Sequence, residues 1–178
     1  TNMLIDPIVA YEGKSEVERF VLSDLPERLD YVVLTHNHAD HVLIETLLAL
    51  RFRVDTVIVP MGGGGIADPS LKLMLKSIGF KKVIELDSLE SVGFGDLTIT
   101  ALPFLGEHGD LDIRTKAAWF VQSGTTSMLF AADSNNLDPT LYDLLRQAVG
   151  QVDILFVGME CAGAPFTWQY GPLLPVAI

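Results

Sequence analysis

The 178 residues carry a formal net charge of −11, with 49% hydrophobic and 20% charged side chains. That composition is globular rather than disordered and long enough for one domain with a real core, while so acidic a balance argues against nucleic acid and anionic membrane surfaces as partners. No apolar run approaches the ~20 residues of a membrane helix, and the single cysteine, Cys161, excludes an internal disulfide, so a soluble cytoplasmic protein is expected.

The chain starts at Thr1 without an initiator methionine and stops at Ile178 without a terminal signal, and a fragment of a longer protein is expected. Met3-Leu4-Ile5-Asp6-Pro7 reads as a short strand ended by a turn. Ser15 followed by Glu18 is a capping-box pattern, which predicts a short helix to Leu22. Leu29 to Leu34 is a β-rich apolar run that reads as a buried strand. It delivers Thr35-His36-Asn37-His38-Ala39-Asp40-His41, which holds three of the four histidines of the chain. Val42 to Leu50 then reads as a helix. The histidines thus sit on a loop at a strand end, where a rigid scaffold holds functional groups at the surface. Neutral imidazole and carboxylate suit zinc, iron and manganese. His36 and His38 alternate and project to one side, while Asp40 and His41 lie around the bend, placed for a second ion. Two such metals share a bridging water or hydroxide and clamp both ends of a reacting group.

His-x-His-x-Asp-His after an apolar strand ending in threonine resembles the signature of the metallo-β-lactamase superfamily. The resemblance implies an α/β fold, an αββα sandwich with a dinuclear site at one edge. His36 and His38 would then bind one metal, Asp40 and His41 the other. Leu4-Ile5-Asp6 resembles the superfamily's early Leu-Ile-Asp element, whose aspartate supports the metal loop from behind; capping the turn is the other reading of Asp6.

Further along, Val54 to Pro60 is a β-branched strand, and Met61-Gly62-Gly63-Gly64-Gly65 follows it. This run lacks the pattern of a phosphate loop and reads as a flexible loop over the site. Asp68-Pro69-Ser70 opens a helix to about Ile78, with proline in the first turn. Lys81 to Leu86 is a strand, Gly93-Phe94-Gly95-Asp96 a turn, and Leu97 to Leu102 an alternating, half-buried strand. Lys116 to Gln122 and Thr126 to Ala132 pair across Ser123-Gly124-Thr125. Leu137 to Val149 is an amphipathic helix, and Val152 to Val157 the last clear strand.

Two later stretches complete the expected site. The superfamily usually presents a histidine in a Gly-His pattern on a later strand; here the place reads Gly106-Glu107-His108. Either Glu107 replaces the histidine or His108 takes the role in a shifted register, since consecutive strand residues point to opposite faces. A glutamate would harden the site and favour iron or manganese over zinc. Asp133, at the end of Leu129-Phe130-Ala131-Ala132-Asp133, matches the aspartate that bridges the two metals in the superfamily; a turn-capping aspartate is the alternative. Glu160 stands where it could orient a ligand. Cys161 reads as a small buried residue, and Phe166, Trp168 and Tyr170 as packing. Gly-Glu-His-Gly-Asp-Leu, the Ala-Asp-Ser-Asn stretch and Gly-Met-Glu-Cys-Ala-Gly are similar to the branch containing the di-iron β-hydroxylase of chloramphenicol biosynthesis. That branch uses glutamate where hydrolases use histidine and activates O2. No histidine follows Asp133 to match the superfamily's last ligand, so residues 1–178 are expected to be an incomplete copy of the catalytic domain.

The leading expectation is therefore an oxygenase with two divalent metals, iron favoured over zinc or manganese, that hydroxylates a C–H bond. It would act on a small-molecule or carrier-bound substrate with an electron donor as partner. The alternative is a hydrolase of a lactone, thioester, amide or phosphodiester, using a metal-bridging hydroxide. Asp40, Glu107 and Asp133 are the expected catalytic groups, and Glu107 separates the two readings, since a hydrolase would be expected to show histidine there. A non-catalytic metal-binding module is the third class.

Overall fold

The structure, a computed structural model, describes residues 1–9, 20–103, 113–134 and 139–158. The helix expected from Ser15 falls mainly outside them; Leu22–Asp24, next in the chain, forms a single 3-10 turn.

Two sheets face each other. The first contains β1 (Met3–Ile5), β2 (Leu29–Val33), β3 (Val54–Pro60) and β4 (Val83–Leu86) in the order β1-β2-β3-β4, and every pair is parallel. Parallel strands covered on both faces read as continuous apolar runs, and β2 and β3 do so. Their residues alternate between two cores. Val32, Leu34, Val57 and Val59 pack outward against α1 (Ile44–Leu50) and α2 (Leu71–Ser77) through Leu47, Leu71 and Leu75. Val33 and Ile58 pack inward against the second sheet.

That second sheet runs β5 (Ser91–Phe94), β6 (Leu97–Leu102), β7 (Ala118–Ser123), β8 (Thr126–Phe130) and β9 (Ile154–Phe156). The first four form an antiparallel meander, and β9 joins β8 in parallel. Leu97, Ile99, Ala101, Trp119 and Val121 face the first sheet. On the outer face, Leu102, Ala118, Phe120 and Leu129 pack against Leu145 of α3 (Pro139–Val149). Helices, sheet, sheet and helix therefore stack in the expected αββα order, and no helix among the described residues is long and apolar enough to cross a membrane.

Several boundaries differ from the sequence reading. The helix expected from Asp68 starts at Leu71, because the Ser70 hydroxyl caps it by accepting from the Leu73 N–H at 3.3 Å. The turn expected over Gly93–Asp96 is tighter, since β5 extends to Phe94 and Gly95 takes a φ of 68°. The glycine run is tied rather than free, with the Gly63 N–H donating to Asp68 at 2.6 Å.

Parallel pairing sends the C-terminal ends of β1 to β4 to one edge of the sandwich. The two sheets are stitched there. The buried indole of Trp119 donates to the Leu34 carbonyl at 3.0 Å. One step on, the Ala117 N–H donates to Thr35 O at 2.8 Å, and Lys116 pairs with His36 in an isolated antiparallel bridge.

Candidate metal centre

Asp6, just past β1, orients the histidine loop. Its Oδ1 accepts from the Thr35 N–H at 2.8 Å, and its Oδ2 accepts from the Thr35 hydroxyl at 2.5 Å. An ionised carboxylate can only accept, so the single hydroxyl proton of Thr35 is committed to Asp6. The Thr35 oxygen then accepts from His36 Nδ1, 2.9 Å away. Asp6 Oδ2 also lies 2.8 Å from His41 Nδ1. The consequence is the same for both imidazoles: Nδ1 carries a proton directed at a fixed acceptor, and Nε2 is turned inward. Thr35 belongs to the motif but had no role in the sequence reading; a hydroxyl placed between strand and first histidine was the available signal.

Both inward nitrogens meet Asp133. His41 Nε2 lies 3.0 Å and His36 Nε2 3.4 Å from Asp133 Oδ2. Ligand atoms held about 2 Å from one ion sit about 3 Å apart, so each of these separations suits a cation held between an imidazole and the carboxylate. His36, His41 and Asp133 offer ligand atoms that all lie within 4.8 Å of one another. His38 joins them, its Nδ1 3.0 Å from His36 Nε2. Asp40 is not drawn into the nest: its side chain is 78% exposed and its carboxylate stands 3.9 Å from His41 Nε2. One oxygen of Asp133 thus meets the inward nitrogens of both His36 and His41. Two imidazole nitrogens and a carboxylate are donors that zinc, iron and manganese all accept, and the set fits a metal.

Backbone geometry aims the two inner carboxylates. Asp6 has φ 43° and Ala132, just before Asp133, φ 50°. Non-glycine residues in this left-handed region cost on the order of 1 kcal/mol each and collect at functional sites. Both carboxylates also border a cleft of about 410 Å3 between the sheet edges, walled in part by Ile5, Phe130 and Phe156.

Protonation follows from the packing. Burial, then the neighbouring His41, push His36 down to about 4. Burial would also lower His41, but its hydrogen bonds to Asp133 and Asp6 outweigh it and push that imidazole up to about 10. Asp133 would rise on burial; instead the hydrogen bond and charge of His41 hold it below the usual carboxylate range. Without metal, then, a proton on His41 Nε2 occupies the position between imidazole and carboxylate that a cation would take.

Glu107, His108, Glu160 and Cys161 fall outside the described residues, as do Phe166, Trp168 and Tyr170.

A family model described as a beta-lactamase superfamily domain matches residues 1–165. Over 176 residues the chain is 48% identical to the 4-amino-L-phenylalanyl-(CmlP-peptidyl-carrier-protein) 3-hydroxylase of Streptomyces venezuelae, covering 97% of this chain and 33% of that protein. The crystal structure of CmlA, a diiron β-hydroxylase from Streptomyces venezuelae, matches with a TM-score of 0.82 at 45% identity, over 96% of this chain and 34% of that one. Igni18, a metallo hydrolase of the archaeon Ignicoccus hospitalis, matches with a TM-score of 0.51 at 17% identity, over 75% of this chain and 52% of that one. That last likeness shows the fold alone. The chain spans about a third of the length of the curated relative and of the solved hydroxylase chain that it matches.

Proposed function

The chain belongs to the β-lactamase superfamily, and from that membership we propose that it forms the metal-binding part of an O2-dependent hydroxylase with two irons. The likeness to a hydroxylase carries the choice over hydrolase, and the reading of Glu107 agrees with it. The 48% identity to a carrier-protein hydroxylase extends over 97% of the chain, and Glu107 stands where hydrolases of the fold are expected to have histidine.

His36 and His38 hold one metal, with Glu107, or His108 in the shifted register, completing it. His41 would hold the second, joined by Asp40 once that carboxylate turns in from its exposed position, and Asp133 would be shared by the two. The 3.4 and 3.0 Å approaches of Asp133 to His36 and His41 support that role. Iron is favoured by the glutamate, with manganese or zinc as alternatives.

Two irons in this nest would supply O2 activation, in which two electrons from a partner donor and two protons let one oxygen atom enter a C–H bond and the other leave as water. The residues do the rest. Asp6 and Thr35 keep the Nδ1 protons of His41 and His36 engaged, which holds both Nε2 atoms toward the metals. His41 must release its Nε2 proton on loading, so metal binding is coupled to proton release. The side chains of His36, His41 and Asp133 are largely withdrawn from solvent, which strengthens each electrostatic contact. The substrate class we infer is an amino acid carried on a peptidyl carrier protein, in a cytoplasmic setting.

Metal content with an optical spectrum tests this on protein purified without added metal. Two irons per chain, with an absorption band bleached by reductant and restored by O2, would support the reading. Stoichiometric zinc, no visible band and turnover of a lactone or phosphodiester would overturn it.

A further inference from the structure

A further carboxylate, more deeply buried, lies at the same edge of the sandwich, outside the histidine nest. Asp68 is 7% exposed. It accepts from the Gly63 N–H at 2.6 Å, the Arg114 N–H at 3.0 Å, the Thr115 N–H at 3.2 Å and the Thr115 hydroxyl. Burial would raise its pKa, but these donors, Thr115 foremost, hold it below the usual carboxylate range. Burying a charge is costly unless it is fully hydrogen-bonded, so four converging donors mark a built clasp rather than an incidental turn. The surrounding backbone is shaped to it. A Cβ on Gly62 would fall 2.5 Å from Thr115 Oγ1, and one on Gly63 2.6 Å from Asp68 Oδ2.

The clasp leads to the metal loop within two residues. Thr115 is followed by Lys116, whose backbone bridges that of His36, and by Ala117, whose N–H donates to Thr35 O at 2.8 Å. Asp6 fixes His36 from the ring side through Thr35; the segment held by Asp68 fixes it from the backbone side. We infer that Asp68 is a positioning residue for the metal centre: by clamping Arg114 and Thr115 to the glycine loop, it sets the strand on which His36 is seated and hence the aim of His36 Nε2. The inference rests on the reading of His36 as a metal ligand.

The test is a Co2+ titration of the metal-free full chain, followed by absorption, together with histidine ring 1H–15N spectra of the metal-free protein. D68N and T115V are compared with D153N. Asp153 makes a similar clasp on the Ser127 N–H and hydroxyl, both at 2.7 Å, at the start of β8 and away from the site. D68N and T115V should each weaken Co2+ binding at least tenfold and move the His36 ring signals, whereas D153N should lower Tm and do neither. A folded D68N chain with wild-type Co2+ affinity and unmoved His36 signals overturns the inference, as does an equal affinity loss in D153N at equal Tm. Should D68N fail to fold, T115V decides, since it keeps the charge and the backbone donors. A wild-type chain that binds no Co2+ would sink the metal-centre reading instead, and the His36 signals of the metal-free variants would still decide the positioning role.

Discussion

Replacing Asp6 by asparagine removes one charge and almost no volume, and the geometry fixes what must follow. Asp6 Oδ2 accepts from the Thr35 hydroxyl at 2.5 Å and from His41 Nδ1 at 2.8 Å. If the new amide nitrogen takes that position, it donates to His41 Nδ1 and drives the ring proton onto Nε2, the atom needed for metal. If the amide turns over, its nitrogen faces the Thr35 N–H, donor against donor, where Oδ1 accepted at 2.8 Å. Either way one charge-assisted hydrogen bond is lost, and each such bond contributes about 1.5–3 kcal/mol. At about 1.4 kcal/mol per tenfold, the loss is roughly 10- to 150-fold in metal affinity. That overlaps the roughly 10- to 100-fold typical for residues that orient metal-bound side chains. Competition between the chain and a chelator of known affinity for Co2+ measures it, and 15N spectra report the tautomer of His41. Binding by D6N within twofold of wild type, with the Nδ1–H tautomer retained, would refute the reasoning.

Three further outcomes follow from the same structure. In the metal-free chain His41 lies near 10 against 6.5 unfolded, so its stabilisation is full below pH 6.5 and lost as pH rises through 10; His36 lies near 4, so its stabilisation is lost as pH falls from 6.5 toward 4. Melting scans in chelator should peak near neutrality, H41Q should flatten the alkaline limb, and an unchanged limb would contradict the assignment. Trp119→Phe orphans the buried Leu34 carbonyl, at about 1–3 kcal/mol, which at about 2–4 °C per kcal/mol should lower Tm by roughly 2–12 °C in thermal unfolding. Gly62→Ala places a Cβ 2.5 Å from Thr115 Oγ1 and should cost about 1–3 kcal/mol in urea unfolding, whereas Gly65→Ala, with nothing within 4 Å, should be near neutral.

Local signals carried the fold far. β-branched runs placed β2 and β3, alternation placed β6, and the spacing of His36, His38, Asp40 and His41 marked a candidate metal loop before any tertiary contact was known. What sequence could not supply was pairing across distance. Nothing near Lys116 announces that it seats His36, and Asp68 looked like the opening of a helix because its donors, Arg114 and Thr115, lie far along the chain. The role of Asp6 was open between cap and support for the same reason: a carboxylate after a short strand serves either, and only the position of Thr35 and His41 decides which donors reach it. Asp40 shows the converse, a motif residue whose side chain is left at the surface.

Trp119 has an optical consequence. It is one of two tryptophans in the chain, is fully buried, and spends its indole proton on Leu34, two residues ahead of His36. A fluorophore so placed senses the histidine loop without any label. A paramagnetic ion arriving at the nest should quench its emission, and W168F would leave it the sole tryptophan of residues 1–178. The hydrogen bond that stitches the sheets thus doubles as a built-in gauge of metal loading, readable during purification and before any substrate is in hand.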